Sequence, residues 1–414
     1  MKLNGFVKNI GIYTFSNVLN AAIPFLLLPV LTRHLSPADY GILTNYNALI
    51  NLLIPFIGLN LMSSLQIIYV KKKEEIGSYI SSGILMTILM TLVFTGLILI
   101  FKNPLAKATG IPVHFIYLTA LYAAYNNIVE VLLAFWRMED KAMHYGIFRV
   151  GRTIVELSIS LVLIIYYQFH FEGSILAISY SYGIGALLAL LLLVQRKMLV
   201  FDWKKEHIRH LLSYGIPLIP HVLSGVAIMY TDKLMLSALK NVEANGIFSV
   251  GFMVGQVIGM LQNSFNQAWV PWVYRILKSE DEKGKQKIVR YTYLYILGIL
   301  VLVLLLWGIT PLIYTVIGKD FSSGMSLVFW IALGFAFNGM YKMVSVYFFY
   351  LEKTKQLAAL SFFVAFVNVG LNWFLIPHFG FTGAALSTMT AMFLQFVLIW
   401  VWSVKYIQMP WFKF

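Results

Sequence analysis

Cysteine is absent from this 414-residue chain, and charge is scarce. Without cysteine there are no disulfides, no thiolate metal ligands and no cysteine nucleophile, although the compartment stays open. Only 12% of the residues are charged and 60% are hydrophobic, whereas a soluble domain is about a quarter charged. A water-soluble chain of this length needs far more polar surface. A soluble enzyme is therefore excluded, and the chain reads as an integral membrane protein. Also missing are a nucleotide-binding loop, metal-ligand spacing, a serine-nucleophile elbow and any loop long enough to form a domain. An ATP-driven pump encoded on this chain is excluded on that ground. The apolar stretches show no in/out alternation, which argues against a membrane β-barrel. Acids are few, 17 against 31 basic residues, for a net charge of +14.

What is present is a series of long apolar stretches. About 20 mostly apolar residues suffice to cross a bilayer as a helix. Twelve such spans are expected, at 9–31, 41–68, 78–101, 113–136, 146–167, 173–194, 211–231, 246–274, 289–309, 323–350, 356–377 and 382–405. The predicted fold class is an all-α membrane protein with twelve transmembrane helices. The second span has a marked start: Ser36 can cap, Pro37 suits the first helical position, and Asp39 stands where a capping box wants an acid. The apolar segment after Lys8 is too long for a signal-peptide core and carries Pro24 and Pro29, so it is read as a retained first span.

Lys and Arg in the loops set the expected orientation. With the N-terminus in the cytoplasm, 24 of the 31 basic residues fall inside, six fall outside, and Lys342 lies within a span. Both termini are expected to be cytoplasmic. The charge of +14 then reflects topology, not a nucleic-acid face.

Twelve spans with a basic central loop suggest two halves. The expected division is an N-terminal bundle over 1–194, a cytoplasmic connecting loop over 195–210 that lies along the membrane surface with Trp203, and a C-terminal bundle over 211–414. The halves show weak similarity at an offset near 205. Ala38-Asp39-Tyr40-Gly41-Ile42-Leu43 aligns with Glu243-Ala244-Asn245-Gly246-Ile247-Phe248, and Gly173 and Gly383 stand near the starts of the sixth and twelfth spans. Six is even, so the repeat is parallel, its axis along the membrane normal. Such proteins rock around a central cavity.

At these residues the sequence resembles a family. The run Thr32-Arg33-His34-Leu35-Ser36-Pro37-Ala38-Asp39-Tyr40-Gly41 resembles the exit of the first span in polysaccharide repeat-unit (O-antigen, Wzx-type) flippases. Asp232-Lys233-Leu234-Met235-Leu236, followed by Gly246-Ile247-Phe248, resembles the seventh-span exit. Asn368 to Thr388, containing Pro377, Gly380 and Gly383, resembles the eleventh-to-twelfth hairpin. The resemblance implies the two-bundle fold shared with multidrug-and-toxin extruders and lipid II flippases of the MOP superfamily. It implies as substrate an undecaprenyl-diphosphate-linked oligosaccharide, moved from the cytoplasmic to the outer leaflet of a bacterial inner membrane for polysaccharide biosynthesis. Membrane lipids, a polysaccharide polymerase and chain-length machinery are the partners it implies.

Charges at membrane depth are costly and face a cavity or a partner. Glu130 and Arg152 are about equally far from the turn near 141, and Glu156 follows Arg152 on the same helix face. The three are expected to cluster, either as a head-group or proton site or as an ion pair fastening spans four and five. Lys342 either snorkels to the interface or faces the cavity. His221, after Pro217 and Pro220, is either a hydrogen-bonded neutral histidine or a titrating switch. Asn17, Asn20, Asn266 and Gln267 suit interhelical bonding or a sugar-lined cavity, the last two beside Trp269, Trp272 and Tyr274. Arg149, Arg152, Arg290 and Lys342 are the candidate diphosphate contacts, Arg for bidentate geometry and Lys as a point charge. No cofactor and no metal are expected; a coupling ion, H+ or Na+, stays open. The rival readings are a drug or cation antiporter of the same fold and a polytopic polysaccharide polymerase. Short outward loops disfavour the polymerase.

Overall fold

The computed structural model describes residues 3–411 except 72, 201, 280, 281 and 352. The side chains of residues 3–11, 14, 17, 18, 21, 67, 70, 71, 73, 221, 224, 228 and 354 also lie outside the described set. Among the described residues the regular structure is helical throughout. In lipid every backbone N–H and C=O must be paired within the segment, and a helix does this locally.

The elements are α1 (Leu3–His34), α2 (Pro37–Gly58), α3 (Leu61–Lys71), α4 (Ile76–Thr109), α5 (Val113–Met138), α6 (Ala142–Leu161), α7 (His170–Gln195), α8 (Lys205–Leu239), α9 (Val242–Gly255), α10 (Val257–Ser279), α11 (Glu282–Val316), α12 (Leu327–Tyr350) and α13 (Thr354–Val404). A π-helical turn at Val162–Tyr166 extends α6, and a 3-10 turn at Lys319–Ser326 leads into α12. Among the described residues, eight stretches are long and apolar enough alone to cross a membrane: α2, α4, α5, α7, α9 with α10, α11, the 3-10 turn with α12, and α13. The remaining expected spans fall on α1, α6 and α8, and α13 holds the last two, which is compatible with twelve crossings.

Three local features explain the breaks. The second span is split between α2 and α3 at Leu59 and Asn60, both with left-handed backbone. Pro112 precedes α5, and Gly110 ends α4 at φ 70° with its N–H on the Ala106 carbonyl, a conformation glycine adopts without penalty. Gly380, three residues after Pro377, has φ 58° and ψ −135°. There the chain turns back on itself: a Cβ on Gly383 would collide with the Leu375 carbonyl, though eight residues of straight helix separate such groups by about 12 Å. The expected eleventh-to-twelfth hairpin is thus present.

Helix α8 starts at Lys205, not near 211 as expected. Apolarity marks only the membrane-spanning part, whereas Lys-Glu-His-Ile-Arg-His continues the helix into the polar zone. Two compact units emerge, one of Met1–Leu35 with Ile42–Val226, the other of Ser36–Gly41 with Ala227–Phe414. The boundary between them falls inside α8.

Within the first unit α5 is central, packed by α4 and α7 around Leu132, Trp136, Ala189 and Leu193. Within the second unit α12 is central, packed by α9, α10, α11 and α13. The most apolar helices are not the central ones. α4 and α11 have mean hydropathy 2.7, against 1.4 for α5 and for the stretch holding α12, yet they expose Leu92, Leu97, Ile100, Leu297, Leu304 and Leu312. Lipid tails are as apolar as leucine, so nothing drives these side chains inward. α4 and α11 hold the third and ninth expected spans, α5 and α12 the fourth and tenth. Equivalent spans therefore have equivalent environments, as a repeat requires.

Candidate functional site

The first repeated motif opens α2. Ser36 Oγ accepts the Asp39 N–H at 3.1 Å, and the Asp39 carboxylate accepts the Ser36 N–H at 3.1 Å; this is the expected capping box. Its counterpart is Asn241, whose side chain accepts the Ala244 N–H at 2.7 Å at the head of α9. The two caps are 205 residues apart, the offset seen in sequence. Within the second unit these two helix starts meet reciprocally. A Cβ on Gly41 would strike the Val242 carbonyl, and one on Gly246 would strike the Pro37 carbonyl. Residue 37 pairs with 246 and 242 with 41, a local two-fold contact like an isologous interface. Asn245 donates to the Gly41 carbonyl at 3.2 Å, and Tyr40 packs edge-on against Phe321 with ring centroids 5.8 Å apart. Arg33 stands in the last turn of α1, where a cation suits the helix dipole.

A second constellation lies in the first unit. Arg152 on α6 bonds Glu156 at 2.7 Å, and its guanidinium sits 3.8 Å from the Tyr182 ring centroid. Its neighbour Thr153 donates to Asn20 Oδ1 at 2.5 Å, joining α6 to α1. Ser181 donates to the Arg152 carbonyl at 3.0 Å, joining α6 to α7. Arg152 also lines a groove of about 200 Å³ with Gly151, Ser181 and Gly185. Arg149, one turn earlier, is held by the Tyr145 hydroxyl. The expected Glu130–Arg152 pair is not formed. Glu130 lies 3.9 Å from Arg137, two turns along its own helix, and Arg152 takes the nearer carboxylate at i+4. Equal distance from a turn aligns depth but leaves helix rotation open, and rotation decides which side chains face.

A third set lies on α10, where only the side of Gln262 and Trp269 is buried. Asn263, Asn266 and Gln267 share one flank, and Leu261 and Phe265 lie on another. Leu261, Asn263, Ser264, Phe265 and Gln267 are exposed, Asn266 half so, within a helix of membrane-spanning length. Lys342 on α12 donates to Asn263 Oδ1, and Gln262 donates to Asn338 Oδ1 at 3.1 Å. Aromatic rings run alongside: Phe265 is 4.7 Å from Tyr295, Trp269 is 5.1 Å from Trp272, and Trp272 is 5.4 Å from Tyr291, centroid to centroid. The carboxamides, one ammonium and several ring faces are the groups that bind a sugar and an anion. Arg290 is exposed near the start of α11. The side chains of Asn17 and His221 lie outside the described residues.

The fourth set was legible in sequence only as separate motif positions. Asp232 is buried on α8 and accepts from Asn368 Nδ2 at 3.2 Å, from Asn372 and from the Thr388 hydroxyl. The hairpin at Gly380 brings both arms of α13 to one carboxyl. Lys233 lies 4.6 Å from the Phe252 ring centroid, and Lys240 fastens the hairpin by donating to the Pro377 carbonyl at 2.8 Å. The available signal was the pair Asn368 and Asn372, one turn apart in an otherwise apolar span.

The sequence profile of a family described as polysaccharide biosynthesis protein matches residues 6–277. The capsular polysaccharide biosynthesis protein CapF of Staphylococcus aureus is 24% identical, over 94% of this chain and 97% of that one. Among solved structures, an inward-facing MATE-family multidrug resistance transporter of the MOP superfamily matches with TM-score 0.78 and 14% identity, over 93% of this chain and 94% of its own. The lipid II flippase MurJ matches with TM-score 0.75 and 16% identity, over 95% and 87%. At these identities the two structural likenesses concern the fold, and they agree with an all-helical, multi-pass membrane protein. The profile covers well over half of the chain, including both capped motifs and Asp232, and on that basis the chain belongs to the polysaccharide biosynthesis protein family.

Proposed function

We propose that the protein is a flippase that moves an undecaprenyl-diphosphate-linked oligosaccharide from the cytoplasmic to the outer leaflet of a bacterial inner membrane, by alternating access and without covalent chemistry. The observation that carries this reading is Lys342. It lies within a membrane-spanning helix, bonded to the Asn263 carboxamide and to no acid among the described residues. A lysine at the helix centre costs about 2.5–3.5 kcal/mol to insert. Lys342, about two turns from the end of α12, meets part of that cost, and an anionic cargo would offset it. The exposed carboxamides and rings of α10 offer hydrogen bonds and stacking faces to the sugars. Arg152 is the second candidate for the diphosphate, in the first unit. The name of the S. aureus relative and that of MurJ point the same way. An H+ or Na+ gradient, or consumption of the product beyond the membrane, would supply the energy.

A drug or cation antiporter is the competing reading, favoured by the fold likeness to the multidrug transporter. It wants an acidic site, whereas the intramembrane charges here include Arg152 and Lys342. One measurement separates the two. A phosphate contact to a cation in a partly desolvated site contributes about 1.5–3 kcal/mol, or roughly tenfold to hundredfold in affinity. Arg152→Gln or Lys342→Gln should weaken binding of a polyprenyl-diphosphate sugar to purified protein by that factor and leave an uncharged analogue unaffected. Equal affinities of wild type and both variants for the charged ligand would end the proposal that these cations read a diphosphate.

The orientation carries its own test. The bias of 24 basic residues to six supports an orientation with both termini in the cytoplasm. In this cysteine-free chain, Ser36→Cys and Lys319→Cys should react with an impermeant thiol reagent added outside intact cells, and Lys283→Cys should not. The reverse pattern inverts the topology.

A further inference from the structure

The segment before α8 is not a loose tether. Ser78 on α4 donates to the Asp202 carbonyl at 2.8 Å, and the Val200 N–H donates to Ser81 Oγ at 3.1 Å. His207, in the first turn of α8, is buried with its ring stacked on Tyr79, centroids 3.8 Å apart and planes 19° apart. One ring nitrogen lies 3.0 Å from Glu75 Oε2 and the other 2.9 Å from Ser78 Oγ. His207, Leu211 and Gly215, spaced four apart, all face inward and are buried. These contacts fix the rotation of α8 about its axis.

At about 100° per residue, the face opposite His207 carries Lys205, Arg209, Leu212 and Ile216. These four, with Ile208 and Ser213, line an open groove of about 580 Å³ in the first unit. Neither Lys205 nor Arg209 has an ion pair among the described residues; Asp202 is taken by Lys204 at 3.4 Å. The groove is therefore cationic at one end and apolar along its length, and from Lys205 to Ile216 it runs about 16 Å along the helix. Trp203, next to its cationic end, is exposed, as suits a membrane–water interface.

From this arrangement we infer that the first three turns of α8 form a binding site for an anionic diacyl phospholipid of the surrounding bilayer. Its phosphate bonds Lys205 and Arg209, and an acyl chain lies over Ile208, Leu212 and Ile216. A free phosphate would gain nothing from the apolar stretch, and a zwitterionic headgroup would bring its own cation against the two side chains. The His207 latch makes this a built site, because it holds both cations on the face turned away from the core of the first unit.

The full-length protein in phosphatidylcholine nanodiscs, doped with phosphatidylglycerol of the same acyl chains, provides the test, with bound lipid counted by native mass spectrometry. Wild type should retain phosphatidylglycerol at least about tenfold more tightly than phosphatidylcholine, the factor expected when the choline cation cancels one charge-assisted phosphate contact. The K205Q/R209Q variant should lose that preference. The charge-matched K278Q/K355Q variant, altered at exposed lysines elsewhere, should keep it. Three results overturn the inference: no preference in wild type, an equal loss in K278Q/K355Q, or displacement of phosphatidylglycerol by undecaprenyl diphosphate. The last would assign the groove to a transported lipid. None of the three depends on Arg152 or Lys342, so this site and the proposed transport function fail separately.

Discussion

Gly246→Ala should prevent the second unit from folding, although alanine adds a single methyl group. That carbon would fall on the Pro37 carbonyl and close to the Gly41 N–H, which are backbone atoms that no rotamer change can move. Overpacking of side chains costs about 1–3 kcal/mol and more where the backbone must shift. Marginal stability leaves little to absorb this. Gly41→Ala should behave alike, because its methyl group meets the Val242 carbonyl. Gly298→Ala on α11 has nothing within 4 Å and should be neutral or gain about 0.5–1 kcal/mol from helix propensity. Yield of folded protein and Tm in detergent decide the matter. A Gly246→Ala protein that melts with wild type would mean that the two helix starts do not cross at these glycines.

Asp232→Ala should be the next most damaging single change. The carboxyl accepts from Asn368, Asn372 and Thr388. Its removal leaves the Asn368 amide without an acceptor, whereas Thr388 keeps the Ala384 carbonyl at 3.2 Å and Asn372 keeps Asn368 Oδ1 at 3.3 Å. An orphaned buried donor costs about 1–3 kcal/mol. One donor is orphaned and two keep only longer bonds, so a total of about 2–4 kcal/mol is expected. Asp232→Asn keeps one carbonyl oxygen and should fall between. Thr388→Val removes one donor together with its own bond and should cost about 1 kcal/mol. Thermal melts of the four proteins should rank in the order wild type, Thr388→Val, Asp232→Asn, Asp232→Ala. If Asp232→Ala melts with wild type, the carboxyl does not hold the α13 hairpin to α8.

The helical elements follow from local sequence. Apolar length, in a solvent that offers backbone groups no partners, admits helices and little else. The capping box at Ser36 and Asp39, the turn at Gly380 and the ion pair of Arg152 with Glu156 are contacts between near neighbours in the chain. The repeat offset of 205 was legible because residue identities recur at it. Tertiary structure alone decided what each helix faces. Glu130 and Arg152 match in depth, yet rotation sends one to Arg137 and the other to Glu156 and Tyr182. Asn372 and Thr388 reach the same carboxyl only because the chain reverses between them. His207 sits in a polar stretch that reads as a surface loop, but it is buried because Tyr79 and Glu75, more than a hundred residues earlier, provide a stacking face and a hydrogen-bond partner. Span length and local capping follow from short-range sterics and solvation, whereas these contacts depend on how helices rotate and pack against partners distant in the chain.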